Sequence, residues 1–314
     1  MELRKVCVVG GSGFVGRHLL EALCAARYLV TVPTRSRERA KASILLPTVD
    51  VVDANVHDPA VLAKQFEDAD AVINLVGVLH NGRGNRSFEA AHVGLTRKVI
   101  AACAHSGVRR YIHMSALGAD VNGPSLYQRT KGAAEKLVRE SSLAWTIFRP
   151  SVIFGRDDSF LNMFARLNAM LPMIFLAKAD ARFQPVFVED VAAAIARSID
   201  DVDAVGRSYD LGGPRVHTLR EMVALVGRLT GHPRSIIGLP DSLSYLQAFV
   251  LELLPGPLMS RDNVSSMQVD NVTTQPFPFG IEPVGLEAAA STWFGHSPRS
   301  RYSIYRDRSG RVSQ

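Results

Sequence analysis

Residues 6–16 read VCVVGGSGFVG, and the expected architecture of the whole chain follows from them. A β-branched apolar run enters glycines spaced G-x-x-G-x-x-G, and apolar residues with helical spacing follow. Gly10 permits a tight turn, Gly13 lets the backbone approach a pyrophosphate, and Gly16 lets the helix pack closely on the strand. The stretch predicts a strand, a phosphate-binding turn and a helix N-terminus; the alternative is a glycine turn that binds nothing. Ser12, Phe14 and Val15, which lie between these glycines, are also expected to contact the cofactor.

Strand and helix patterns alternate over the first 150 residues. Strands are predicted at Leu3–Val9, Tyr28–Thr34, Val49–Asp53, Ala71–Val76, Tyr111–Ser115 and Trp145–Arg149, and helices at Phe14–Arg27, Arg37–Leu45, Ala60–Phe66, Phe88–Ser106 and Pro124–Glu140. Strands that are apolar throughout are typical of a parallel sheet covered on both faces. We therefore expect an α/β fold with a Rossmann-type, doubly wound parallel sheet and a ligand across the carboxyl ends of its strands.

The pattern changes after residue 150, which predicts a smaller C-terminal substrate or lid domain. The dinucleotide-binding domain is expected at 1–150, returning at about 185–212, and the smaller domain at 151–184 and 213–298. Elements predicted in this half are a strand at Gln184–Val188, a helix at Val191–Ile199, a strand at Ser208–Leu211 and helices at Leu219–Leu229 and Leu243–Leu254. Residues 299–314 are predicted to be a disordered basic tail.

Composition bounds the class of protein. The chain has 314 residues, 47% of them hydrophobic and 21% charged, the profile of a globular protein. Five arginines and one aspartate in the tail carry +4 of the net charge of +6, which argues against nucleic acid as a partner of the nearly neutral body. Three scattered cysteines and unclustered histidines give no disulfide or metal pattern. With no signal peptide and no membrane-spanning run, we expect a cytoplasmic protein, or a peripheral one at the inner face of a membrane.

The end of the second strand predicts the choice of nicotinamide cofactor. NAD-specific sheets place a carboxylate there for the ribose, but this chain has Thr34, Arg35 and Ser36. A guanidinium matches a 2′-phosphate with charge-assisted, bidentate hydrogen bonds. NADP(H) is therefore the expected cofactor, and NAD(H) is kept as the alternative. The alternative is that the arginines are only a solvated helix turn. Asn55 and Val56, after the third strand, are the expected adenine contacts.

A second group of residues predicts acid–base chemistry at the same edge of the sheet. Tyr127 and Lys131 lie at i and i+4 of one predicted helix, and Ser115 ends the strand before it. A neighbouring ammonium is expected to lower the pKa of the phenol, Lys131 to bond the nicotinamide ribose, and Ser115 to polarise a carbonyl. The alternative for the Y-x-x-x-K pair is an exposed helix face.

Further motifs carry a resemblance to a known family. They are Asn74–Gly77, His92–Gly94, Tyr111–Ala119, Arg149–Gly155, Phe183–Ala192 and Tyr209–Pro214. With the glycine turn and the Y-x-x-x-K pair they resemble the extended short-chain dehydrogenase/reductases. Within that family the chain looks like the atypical branch that contains the NADPH-binding accessory subunit of mitochondrial complex I and its bacterial relatives. The resemblance spans about residues 3–295.

The resemblance implies roles for individual residues. The three glycines would hold the pyrophosphate, Arg35 the 2′-phosphate, and Tyr127 would be the acid/base with Lys131 as its partner. The further cofactor contacts expected within these motifs are Val76, Gly77 and Pro150. His92 stands where many extended reductases have an asparagine that completes a proton relay, so relay through an imidazole is one expectation and loss of turnover the other.

Two functions follow as hypotheses. The first is an NADPH-dependent oxidoreductase or epimerase-like enzyme acting on an apolar carbonyl or quinone-like substrate, because apolar side chains dominate the second half. The second is a non-catalytic protein that holds NADPH and joins a respiratory or membrane-linked complex, with helix Leu243–Leu254 as a docking element. The polar loop His80–Arg86 is expected to cover the cofactor cleft, or to be an ordinary loop.

Overall fold

The structure of the protein, a computed structural model, describes residues 4–35, 37–41, 43–253 and 258–294. Ser36, the end of the predicted helix at Leu254 and the tail 299–314 lie outside the described residues. The strands are β1 (Lys5–Val9), β2 (Leu29–Thr34), β3 (Val49–Asp53), β4 (Ala71–Asn74), β5 (Arg110–Met114), β6 (Ala144–Pro150), β7 (Ile153–Phe154), β8 (Met173–Ala177), β9 (Arg182–Phe183), β10 (Val186–Phe187), β11 (Arg207–Leu211), β12 (His217–Thr218) and β13 (Ser235–Leu239). The α-helices are α1 (Phe14–Ala25), α2 (Pro59–Phe66), α3 (Leu95–Ser106), α4 (Leu126–Arg139), α5 (Ser159–Met170), α6 (Val188–Ser198), α7 (Leu219–Leu229), α8 (Asp241–Glu252), α9 (Arg261–Ser266) and α10 (Leu286–Phe294).

Seven parallel strands form the main sheet of the described chain, in the order β11-β6-β5-β4-β1-β2-β3. The chain winds outward from β1 in one direction through β2 and β3, and then from β4 in the other. Val9 lies beside Asn74 where β1 meets β4, so the two halves diverge at the carboxyl end of this pair. Such a divergence opens the crevice in which doubly wound sheets bind ligands. The predicted Rossmann-type fold is confirmed.

Helices cover both faces of this sheet, and its central strands β1 and β4 are accordingly buried on both sides. On one face α1 and α6 bury Leu19, Leu20 and Ile195 against the strands. On the other face α2 and α3 bury Phe66 and Val99. Burial of this kind contributes about 25 cal/mol per Å² of apolar surface, the main stabilisation of an α/β core.

A third cluster of core residues lies apart from the sheet. It joins α5, α7 and α10 through Phe164, Val223 and Leu286. The strand pair β8–β13 borders it, in parallel register from Met173 beside Ser235. We keep the division of the chain into 1–150 with a return at about 185–212, and 151–184 with 213–298, as a proposal.

Two elements differ from the sequence prediction near the site. The predicted helix Arg37–Leu45 is wrong: short 3-10 turns occupy Arg37–Ala40 and Ser43–Leu45. Leu45 is 84% exposed, so this segment lacks an apolar face whose burial would hold a longer helix together. The predicted helix Phe88–Ser106 begins with a π-helical turn at Glu89–Gly94 before α3. Among the helices described, none is both long enough and apolar enough to cross a bilayer.

Candidate nucleotide and catalytic site

The glycine turn leaves no room for side chains where it joins β1 to α1. Gly10 has a φ of +88°, in the left-handed region that favours glycine. A Cβ on Gly16 would lie 2.3 Å from the carbonyl oxygen of Gly11, so the helix can approach the turn only with glycine there. Gly13 caps α1 without a side-chain hydrogen bond, which leaves the helix N-terminus available to an anion.

The residues between these glycines take different places. Ser12 reaches the cavity described below, and Thr34 Oγ1 donates a hydrogen bond to its Oγ at 3.3 Å. Phe14 packs edge-on against His18 with 5.7 Å between ring centroids, so its backbone N–H is the group left for a phosphate. Val15 is buried in the core and likewise offers its backbone.

A cavity of about 340 Å³ opens at the carboxyl ends of the strands, directly beside the glycine turn. The predicted contacts that line it are Gly10, Ser12, Arg35, Val56 and Val76. Its other lining residues, which the sequence analysis did not single out as contacts, are Pro33, Thr34, Ala54 and Arg86. Asn55 lies in the same segment as Val56, but its side-chain oxygen accepts a hydrogen bond from the backbone N–H of His57 at 3.2 Å.

Lys131 is a buried cation at the nicotinamide end of the predicted site. Its side chain is 3% exposed, and its Nζ donates a hydrogen bond to the carbonyl oxygen of Met114 at 3.1 Å. A Cβ on Gly77 would lie 3.2 Å from this Nζ, so the ammonium is next to the segment that follows β4. Burial lowers the pKa of Lys131 from 10.5 to about 8, an effect that the Glu135 carboxylate partly offsets.

Tyr127 lies one turn before Lys131 on α4 and is half-buried. Its ring packs edge-on against Phe88 and His92, with centroid separations of 5.7 and 5.4 Å. Burial raises the pKa of Tyr127 to about 12. The phenol pKa therefore moves in the direction opposite to the one predicted from the i, i+4 spacing, because burial disfavours the charged phenolate.

His92 is 1% exposed and lies in the π-helical turn. Its Nε2 accepts the backbone N–H of Val78 at 3.3 Å, so this nitrogen carries no proton. Its Nδ1 lies 2.9 Å from Thr130 Oγ1, which itself donates to the carbonyl oxygen of Leu126. Nδ1 is therefore the protonated nitrogen of a neutral ring, and burial, then Lys131 and His113, lower the pKa of His92 to about 2. Both ring nitrogens are thus engaged by protein groups, an arrangement that favours the second of the two expectations for His92, loss of turnover, over a proton relay through its imidazole.

Ser115 follows β5 and is 3% exposed. Its Oγ has no hydrogen-bond partner within the described ranges, although its backbone N–H donates to the Phe148 carbonyl at 2.7 Å. A buried hydroxyl without a partner costs about 1–3 kcal/mol and is therefore a group that a ligand can satisfy. Pro150 ends β6, and its carbonyl accepts the N–H of Leu117 at 2.9 Å.

A residue from far along the chain fixes the start of the helix that carries Tyr127 and Lys131. The Asp262 carboxylate on α9 accepts the backbone N–H groups of Leu126 and Tyr127 at 2.6 and 3.1 Å. Ser125 adds a capping box to the same helix. A carboxylate at a helix N-terminus is favourable because it meets the positive end of the helix dipole. The sequence holds no local signal for this contact, since 135 residues separate its partners.

These features fit a nicotinamide dinucleotide: a glycine-rich turn, a cavity beside it, a buried ammonium and a buried hydroxyl without a partner among the described residues. They give no indication of a metal, and within the described ranges no group of three His, Cys, Asp or Glu residues could hold one.

Comparisons with known proteins agree with this geometry. A family model described as NAD(P)H-binding matches residues 10–166. The mitochondrial NADH dehydrogenase [ubiquinone] 1 alpha subcomplex subunit 9 of Arabidopsis thaliana is 35% identical over 284 residues, which are 85% of this chain and 69% of that protein. A ceramide reductase of Caulobacter vibrioides is 28% identical over 190 residues, 60% of this chain and 59% of that protein. Among solved structures, an NADPH-dependent quinone oxidoreductase of Escherichia coli complexed with NADPH superposes with a TM-score of 0.74 at 20% identity, over 92% of this chain and all of that one (100%).

Proposed function

This chain belongs to the NAD(P)H-binding family, and from that premise we propose that it is an NADPH-dependent reductase of an apolar carbonyl or quinone-like compound. The observation that carries the proposal is Lys131. Within the described ranges its ammonium is buried without an ion pair, and its one hydrogen bond goes to a backbone carbonyl. A buried charge so weakly compensated destabilises the fold, and such groups are concentrated at functional sites.

A bound nicotinamide supplies the hydride, and the residues of the chain supply position and a proton. Lys131 would donate hydrogen bonds to the ribose hydroxyls beside Gly77. Ser115 would donate its free O–H to the substrate oxygen. Because the pKa of Tyr127 is about 12, its phenol stays protonated at neutral pH and would act as the general acid that protonates that oxygen.

Turnover tests this proposal directly. Purified protein is mixed with NADPH and a panel of quinones and apolar ketones, and NADPH consumption is followed optically. Tyr127→Phe is expected to lower kcat by about 100-fold or more, with the Kd for NADPH unchanged. Tyr209→Phe is the matched control, since it removes a phenol elsewhere on the sheet, at β11, whose ring packs on Phe148 and Phe279. Absence of turnover with every compound, or equal turnover in Tyr127→Phe, would contradict the proposal.

The preference for NADPH is part of the same proposal. Arg35 lines the cavity at the end of β2, and among the described residues that line it there is no carboxylate to bind a ribose hydroxyl. One charge-assisted contact with a 2′-phosphate favours NADPH by about 1.5–3 kcal/mol, or about 10- to 150-fold in Kd. Titration of NADPH and NADH should show this preference, and Arg35→Ala should remove most of it.

A second candidate is a non-catalytic NADPH-holding subunit of a respiratory or membrane-linked complex, located peripherally at the membrane. The Arabidopsis relative is named as a subunit of such a complex. In this chain, helix α8 exposes Leu246 (57%) and Phe249 (45%), and Leu253 (72%) directly follows it. Exposed apolar residues that form a contiguous patch are typical of interaction sites.

Affinity purification from detergent-solubilised membranes tests this candidate. Leu246→Lys is expected to release the protein from its partner, whereas Leu45→Lys, at an even more exposed leucine on a different segment, leaves the association intact. Recovery of the wild-type protein only as a free monomer contradicts the candidate.

A further inference from the structure

We propose that Arg86 is a second specificity residue, which binds the 2′-phosphate of NADPH together with Arg35 from a different segment of the chain. The inference rests on the proposed NADPH binding and adds to it a residue on a different segment of the chain. Arg35 follows β2, whereas Arg86 lies on the segment that follows β4, and both line the same cavity of about 340 Å³.

The charge at this cavity is unbalanced. Arg35 and Arg86 are exposed cations, and the structure pairs neither of them with a carboxylate or a hydrogen-bond acceptor in the described part of the chain. The polar side chains between them are the hydroxyls of Ser12 and Thr34. A phosphate monoester carries about −1.5 to −2 charges at pH 7 and several acceptor oxygens, so it can engage two guanidinium groups and a hydroxyl at once.

The backbone of the loop fixes which arginine reaches the cavity. Gly82 donates its N–H to the carbonyl oxygen of Arg86 at 3.0 Å, and Arg86 donates to Arg83 at 3.2 Å. A Cβ on Gly82 would lie 2.9 Å from the Cβ of Arg86, so the loop folds this tightly only with glycine there. Gly84 completes the turn with a φ of +57°.

The base of this loop is held to the framework of the site. The backbone N–H of Phe88 donates to the side-chain oxygen of Asn81 at 2.9 Å, which closes the loop ahead of the π-helical turn. Phe88 itself stacks on His92 with 5.4 Å between centroids. Arg86 is thus presented from an anchored loop, while Arg83, on the same loop, does not line the cavity.

Fragments of the cofactor separate a phosphate contact from other contacts. Binding of 2′,5′-ADP, 5′-AMP, NADPH and NADH is measured by calorimetry on the full chain with Arg86→Ala, Arg83→Ala and Arg86→Lys. Arg86→Ala is expected to weaken 2′,5′-ADP and NADPH by about tenfold or more, and to leave 5′-AMP and NADH unchanged. Arg83→Ala is expected to leave all four ligands unchanged, and Arg86→Lys to recover part of the loss, because it keeps the charge without the bidentate fork.

Two results would overturn the inference while NADPH binding itself stands. The first is an equal loss of affinity for NADPH and for NADH in Arg86→Ala, which would mean that the guanidinium contacts a part of the molecule that both cofactors share. The second is no loss for any ligand in Arg86→Ala while Arg35→Ala still reduces the NADPH preference. Failure of the wild-type protein to bind either dinucleotide is a different outcome, and it removes the proposed function together with this inference.

Discussion

Replacing Lys131 with methionine is expected to abolish turnover while it changes the pH dependence of stability in a defined direction. The folded state lowers the pKa of Lys131 from 10.5 to about 8. Between those values the unfolded chain holds a proton that the folded chain has lost, so raising the pH stabilises the wild-type protein. Methionine fills a similar volume without a charge, so the variant lacks this dependence.

The size of the effect follows from the two pKa values. At pH 7 the burial of Lys131 lowers the free energy of unfolding by about 3 kcal/mol, and at pH 9.5 it lowers it by about 1.4 kcal/mol. The free energy of unfolding of the wild-type protein, minus that of Lys131→Met, should therefore rise by about 2 kcal/mol between these two pH values.

Urea unfolding of both proteins at pH 7 and pH 9.5 measures this difference. Lys136→Met is the matched control, because Lys136 is exposed on the same helix and the difference from wild type should then stay constant. A difference for Lys131→Met that is flat, or that falls as the pH rises, would refute the argument that Lys131 is a buried, poorly compensated cation.

Three further predictions concern other parts of the site. Gly16→Ala should abolish NADPH binding and lower Tm, because the new Cβ would lie 2.3 Å from the carbonyl oxygen of Gly11. Gly94→Ala is the control and should do neither, since the nearest atom to its new Cβ is 3.6 Å away. Thermal unfolding and an NADPH titration check both variants. Acid should destabilise the protein below pH 6.5, because the pKa of His92 is about 2 in the folded state. The unfolded chain then binds a proton on this imidazole that the folded chain does not bind. The loss is about 2 kcal/mol at pH 5, and it should be smaller in His92→Gln when urea unfolding is compared at pH 7 and 5; an identical loss in the variant contradicts the assignment. Asp262→Asn should lower Tm and kcat together, as it weakens the cap on the helix of Tyr127, and a change in neither would show that the cap has no effect on that helix.

Some residues of the site can be recognised from local spacing in the sequence, and others depend on contacts between distant segments. The glycine turn and the pair Tyr127 and Lys131 are visible in the sequence because their chemistry depends on spacings of three to six residues. Arg86 and Asp262 are not, because the first reaches the cavity only through the shape of its loop and the second acts on a helix 135 residues away. Neither contact leaves a periodic or spaced pattern.

The protonation states of Tyr127 and His92 also could not be predicted from the sequence. The spacing of Tyr127 and Lys131 predicted a lowered phenol pKa, whereas burial raises it to about 12. For His92 the sequence left a proton relay and a loss of turnover as alternatives, and the structure shows that Val78 and Thr130 engage both of its ring nitrogens. Desolvation and partner choice depend on which surfaces the fold covers, and these are properties of packing.

The sequence by itself therefore determined the strands of the parallel sheet, most of the helices between them in the first 150 residues, the phosphate-binding turn and the helix that carries Tyr127 and Lys131. These features follow from local hydrophobic periodicity and from the backbone freedom of glycine, which act over a few residues. Only the tertiary structure decided the short turns in place of the helix Arg37–Leu45, the pairing of β8 with β13, the cavity with its two arginines and the protonation states at the site. Each of these depends on burial or on contacts between distant segments, which exist only once the chain has packed.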